Sequence, residues 1–136
     1  MKGRVFIDTN ILVYIYSEDE PEKKTIAQKL LDKNILFIST QVVQEFSNTL
    51  KKKYKVDWKE IQTAIDEITS CSMVFTNQIS TITCAISIAE KYKYSFYDSL
   101  IIASALETNC KTLYTEDLQH NQIINKKLQI LNPFLK

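Results

Sequence analysis

Four stretches of this 136-residue chain place carboxylates where they could do chemistry. Asp8 ends a short apolar run in Phe6-Ile7-Asp8-Thr9-Asn10, and Glu45 lies in Ser39-Thr40-Gln41-Val42-Val43-Gln44-Glu45-Phe46. Asp98 opens an almost wholly apolar stretch, Tyr97-Asp98-Ser99-Leu100-Ile101-Ile102-Ala103, and Glu116 and Asp117 follow another short apolar run through Thr115. Each acid has an ordinary structural use. Asp8, Thr9 or Asn10 can cap the short helix that follows, and Asp98 can cap its own helix. Glu45 can reach water from the border of an apolar stripe, and Glu116 and Asp117 suit a turn. As a set they suggest more. Carboxylates brought together repel, raise one another's pKa and cost stability unless a cation sits among them. Mg2+ and Mn2+ are hard cations that prefer oxygen donors and keep several waters. Such a site can activate water for in-line attack on a phosphodiester and stabilise the leaving oxygen. No rival chemistry is visible: Cys71, Cys84 and Cys110 are widely spaced, and the one histidine, His120, has no matching Cys or Ser partner. The residues alone define a candidate divalent-metal site.

Whether these acids meet depends on the elements that carry them. Residues 5–7, 36–38, 73–75 and 112–114 read as short buried strands, with 129–131 as a fifth. Helical periodicity fills the intervals. Residues 10–17 form a short apolar helix, and Pro21 opens a second with Ile26, Ala27, Leu30 and Leu31 inward. Residues 41–53 turn Val42, Val43, Phe46 and Leu50 inward, and Asp57 caps a helix whose stripe is Trp58, Ile61, Ile65 and Ile68. Residues 79–92 present Ile82, Ala85, Ile86 and Ala89, while 97–108 are apolar all round and belong in the interior. Strands joined by such long connections pair in parallel through right-handed crossovers, which predicts an α/β fold with helices on both faces of the sheet. Ligands of open parallel sheets bind at the carboxyl ends of the strands, where Asp8, Glu116 and Asp117 fall. Glu45, one turn into its helix, sits roughly 60° from Val42, at the edge of the apolar stripe.

Nothing reads as a linker, repeat or low-complexity segment, so one domain is expected over 1–136. The only glycine, Gly3, excludes a dinucleotide-binding turn and a phosphate-cradling loop. Asn34 and Asn109 each stand between a helix and a strand, where left-handed backbone is wanted. Seventeen basic against sixteen acidic residues leave a net charge of +1, which neither favours nor opposes a nucleic-acid partner. The first residues do not read as a secretory leader, and no apolar run reaches the roughly 20 residues needed to span a bilayer. A cytoplasmic protein with no membrane partner is expected, its cysteines buried and reduced.

At its acidic stretches the chain resembles the PIN domains, and within them the VapC-like toxin ribonucleases of type II toxin–antitoxin pairs. The resemblance runs over essentially the whole chain. It is carried by Phe-Ile-Asp-Thr-Asn-Ile-Leu-Val-Tyr at 6–14, the segments around Glu45 and Asp98, Thr115-Glu116-Asp117-Leu118-Gln119-His120, and Leu131-Asn132-Pro133-Phe134. It implies a three-layer α/β/α fold with a parallel sheet of four to five short strands. It also implies divalent-metal-dependent hydrolysis of single-stranded or structured RNA. On that pattern Asp8, Glu45, Asp98 and Asp117 hold one or two Mg2+ or Mn2+ ions, Thr9 and Asn10 support the first acid, and Thr115 the last. Glu116 is the alternative to Asp117 as fourth ligand. One departure is Asn121, where similar sequences commonly have glycine; Asn tolerates the same backbone region. The implied partners are an antitoxin peptide covering the site and a second copy of the chain. The apolar helix Ile11-Leu12-Val13-Tyr14-Ile15-Tyr16 serves either the core or such a contact. Lys51, Lys52 and Lys53 are either a solvated helix end or a phosphate-gripping patch, and His120 is either a loop residue or a phosphate contact. Two rivals remain. A PIN-like RNA- or protein-binding module without catalysis would keep the fold but has no need of all four acids. A phosphoacceptor domain with Asp8 as acceptor would want paired acids and a lysine that cannot be placed here.

Overall fold

The protein is described by a computed structural model covering residues 3–135. Its centre is β1 (Arg4–Ile7), whose Val5, Phe6 and Ile7 are all buried, as a strand covered on both faces requires. Thr9–Tyr16 (α1) and Pro21–Lys33 (α2) lead to β2 (Ile35–Ser39), then α3 (Thr40–Lys52), α4 (Trp58–Ser70) and β3 (Met73–Phe75). Next come α5 (Ile79–Tyr92), α6 (Phe96–Glu107), β4 (Thr112–Tyr114), β5 (Ile123–Ile124) and β6 (Leu128–Leu131). The strand order is β3-β2-β1-β4-β6-β5, parallel throughout except that β5 runs antiparallel to β6. Helix α1 packs on both α2 and α3, α3 packs on α4, and α5 and α6 form a close pair, with α6 against β2 and β4. This is the expected three-layer α/β/α fold, with a mostly parallel sheet between the helices.

Among the described residues the sheet has six strands, one more than expected. The extra strand, β5, has two residues and returns through a turn over 124–127, closed by Lys127 N–H donating to Ile124 O at 2.9 Å. Asn125 and Lys126 both have positive φ, as a tight hairpin turn demands, but no glycine marks the place. Asn109 (φ 58°) and Asn121 (φ 70°) take the left-handed conformation. Asn34 does not: its φ is −129°, and its side-chain amide donates to Leu30 O at 3.0 Å, satisfying the helix-end carbonyl another way.

One residue of α4 and the inward face of α5 differ from the sequence reading. Trp58 is 61% exposed, because it is the first residue of α4 and precedes the inward stripe of Ile61, Ala64 and Ile68; the Lys51 ammonium lies 4.7 Å from its ring centroid. In α5 the buried residues are Thr81, Ala85 and Ile88, while Ile79, Ile82 and Ile86 are exposed. Small side chains explain the rotation: Ala85 meets Ala103 and Leu100, so the helix pair closes on its alanines and leaves the isoleucines outside. Cys110 is the one cysteine in the core; Cys84 is half-buried, Cys71 is exposed, and all three are free. Among the described residues no helix is long and apolar enough to cross a membrane.

Candidate active site

Parallel pairing in register, Ile7 beside Tyr114, brings the carboxyl ends of β1 and β4 to the same edge. Asp8 and Thr115 are the next residues on each strand. Asp8 is the N-cap of α1, with Oδ1 accepting from Thr9 N–H at 2.7 Å, so its capping role and its place among the acids coexist. Its Oδ2 accepts from the Thr115 hydroxyl at 2.8 Å and from the Asn10 amide at 3.5 Å. The residue is only 7% exposed, and its pKa is pushed from 3.8 to about 7. Burial is the main cause; the bonds from Thr115 and Thr9 oppose it, and the charges of Glu45 and Asp117 add to it.

The other acids arrive from three directions. Glu45 accepts from the Thr9 hydroxyl at 2.8 Å and from the Gln41 amide at 3.3 Å. That same amide donates to Tyr97 O at 3.0 Å, tying α3 to the start of α6 beside Asp98. Asp98 is not the cap of α6. Ser95 is, accepting from Asp98 N–H at 3.2 Å, which leaves the Asp98 carboxylate for the cavity. Asp117 is exposed and accepts from the Asn10 amide at 3.0 Å, while its own N–H donates to Thr115 Oγ1 at 3.2 Å. Glu116 turns elsewhere, accepting from Lys23 Nζ at 2.9 Å and from the Tyr14 hydroxyl. That bond to Glu116, then the one to Tyr14, raises the Lys23 pKa and keeps its charge in place.

All five carboxylates line one cavity of about 410 Å³, with Lys53, among the described residues, as the only lysine on its wall. The other basic candidates point away. Lys51 donates to Val56 O at 3.3 Å, Lys52 is exposed outside the cavity, and His120 accepts at Nδ1 from Asn132 N–H at 2.9 Å, pinning a loop. Two residues that the sequence reading passed over matter here. Gln41 was findable, since it sits one helical turn before Glu45 on the same face. Tyr14 stands in sequence within an apolar helix; its hydroxyl reaches Glu116 because α1 and the segment after β4 meet at the cavity. Gln41 Oε1 and, next to Asp98, Ser99 Oγ are buried without a partner.

The donor set is all oxygen, the chemistry that suits Mg2+ or Mn2+ and not zinc. Yet among the described residues no group of three or more His, Cys, Asp or Glu side chains is placed to hold a metal ion as the site stands. Asp8, Glu45 and Asp117 are each held by neutral donors from Thr9, Asn10, Thr115 and Gln41. The acids share a cavity without closing on one point.

An α/β/α sandwich with an acid-lined cavity at the carboxyl edge of its sheet is the class that fold and site define together. The sequence matches the PIN domain over residues 5–125, and the chain belongs to the PIN-domain family. No curated protein matches it. Among solved structures it resembles a toxin–antitoxin complex from Klebsiella pneumoniae (TM-score 0.72, 19% identity, 96% of this chain and 98% of that one). It also resembles VapC20 of Mycobacterium tuberculosis, described as a sarcin–ricin loop cleaving toxin (TM-score 0.69, 15% identity, covering 83% and 91%). A third is VapBC2 of Rickettsia felis bound to a promoter DNA fragment (TM-score 0.64, 20% identity, covering 93% and 96%). At these identities the likeness is one of fold.

Asp8 makes the fold pH-sensitive in a defined direction. Its folded pKa of about 7 lies above the ordinary value, so its contribution is complete below about pH 4 and declines as pH rises through 7. In EDTA, Asp8→Asn should therefore gain stability over wild type by up to a few kcal/mol at pH 8 and by much less at pH 4.5. Urea denaturation at the two pH values measures this; an advantage of equal size at both would refute the burial account.

Proposed function

We propose that this chain is a Mg2+/Mn2+-dependent endoribonuclease that hydrolyses phosphodiester bonds of single-stranded RNA, and the toxin of a toxin–antitoxin pair. The observation that carries the reading is Asp8, a buried carboxylate of raised pKa facing a cavity lined by three further acids that make no ion pair among the described residues. Asp8, Glu45, Asp98 and Asp117 would hold the metal, which when bound lowers the pKa of water and offsets charge on the scissile phosphate. Thr115 and Asn10 both donate to Asp8 Oδ2, and Asn10 also donates to Asp117. Thr9 orients Glu45. Lys53 faces the cavity as a contact for an RNA phosphate. The toxin assignment draws on the similar folds, whose descriptions include a toxin–antitoxin complex and a sarcin–ricin loop cleaving toxin. An antitoxin and a second copy of the chain are the proposed partners, and the cytoplasm the proposed location. For the second copy, Ile79, Ile82 and Ile86 offer an uncovered stripe at helical spacing on α5. One observation favours a second reading, a non-catalytic PIN-like RNA- or protein-binding module: among the described residues the acids are not gathered to hold a metal.

Cleavage of single-stranded RNAs and of total cellular RNA separates the two. Wild type with Mn2+ should cut, EDTA should abolish cutting, and folded Asp8→Asn should lose at least a hundredfold in rate, roughly 2.7 kcal/mol of transition-state stabilisation. Intact RNA throughout would favour the binding module. Lys53→Ala should weaken RNA binding and reduce the slope of log K against log salt by about 1, whereas Lys51→Ala should leave it unchanged. Sedimentation should show a dimer that Ile82→Glu/Ile86→Glu converts to monomer; an unaltered dimer would remove α5 from the interface.

A further inference from the structure

Glu116 and Asp117 are adjacent acids at the end of one strand, and the fold sends them to different partners. Asp117 accepts from the Asn10 amide at the cavity. Glu116 is taken from two sides, Oε2 by Lys23 Nζ at 2.9 Å and Oε1 by the Tyr14 hydroxyl. The same ammonium donates to Tyr14 Oη at 3.2 Å. It also lies 4.8 Å from the ring centroid of Tyr14 and 5.3 Å from that of Phe134, and the two rings meet edge to face. A freely moving surface ion pair contributes little. Here the ammonium is fixed by two hydrogen bonds and two aromatic faces, from α1, the strand end after β4, and the C-terminal segment. Among the described residues, Glu116 is the only carboxylate of the cavity with an ion-pair partner.

We infer that Lys23 is a positioning residue: it holds Glu116 out of the ligand set and leaves Asp117 as the fourth acid for the cation. The inference rests on the metal-dependent reading above. Two free carboxylates on neighbouring residues would compete for one ion. Glu116, longer by one methylene, would draw it to a different place and add a negative charge to a cavity already rich in them. Lys23 cancels that charge from outside the cavity wall, so the site keeps four available acids.

The test is Mn2+ binding, followed by calorimetry or by electron paramagnetic resonance of the free ion, on proteins shown to be folded by circular dichroism. Lys23→Met should tighten Mn2+ binding at least threefold by freeing Glu116, and should lower cleavage at saturating Mn2+. Lys23→Arg should stay within twofold of wild type, and Lys23→Met/Glu116→Gln should return to the wild-type Kd because the effect runs through Glu116. Glu116→Gln alone should also stay within twofold; a tenfold loss would make Glu116 a ligand and overturn the inference, even if Lys23→Met fails to fold. A folded Lys23→Met with unchanged Kd overturns it too, whatever happens to its Tm, since a merely structural pair would move only the Tm. Wild type that binds no more Mn2+ than Asp8→Asn would instead overturn the metal reading itself.

Discussion

A carboxylate as deeply buried as Asp8 needs donors around it, and the donors at this position come from both ends of the chain. Thr9 and Asn10 are its neighbours in sequence, but Thr115 is more than a hundred residues away and reaches Oδ2 only because β4 lies beside β1 in the right register. The crossover through α6, the pairing of Ile7 with Tyr114 and the hydroxyl on Asp8 are one constraint expressed three times. A slip of one residue along β4 would turn Thr115 to the other face of the sheet and leave the buried charge without its strongest support. Asn10 extends the arrangement, with its amide on Asp117 and Thr115 and its carbonyl accepting from Glu116 N–H.

The helical side of the cavity is set by fewer bonds. The Gln41 amide donates to both Glu45 and Tyr97 O, so one side chain ties α3 to α6. Elsewhere the chain does without glycine, taking positive φ at Lys55, Lys93, Asn109, Asn121, Asn125 and Lys126. Asparagine tolerates that region through local hydrogen bonding, whereas each lysine there is mildly strained.

Much of the fold was legible because its signals are local. Apolar runs bounded by acids and asparagines marked β1, β2 and β4, and the long intervals between strands implied parallel order. Strand β5 was not legible, since two isoleucines before an Asn-Lys turn lack both length and the usual glycine. In α4 Ile61 and Ile68 face inward as expected and only Trp58, at the first position, does not, whereas the face of α5 differs. Periodicity shows which residues share a side but not which side a neighbouring helix selects, and the alanines of α5 and α6 made that choice. At the site, the convergence of strand ends at one edge followed from topology. The separate fates of Glu116 and Asp117 did not, because Lys23, Tyr14 and Phe134 meet only in three dimensions.

The two borders of the sheet carry a consequence for recognition. At one border stands β5, with two residues, and at the other β3, with three. Neither offers enough free backbone to template an incoming strand, so open-ended growth by strand addition is suppressed at both sides. A protein that engages this chain must then read side chains, along a helix face or down into the acidic cavity, and its grip depends on shape and charge more than on main-chain ladders.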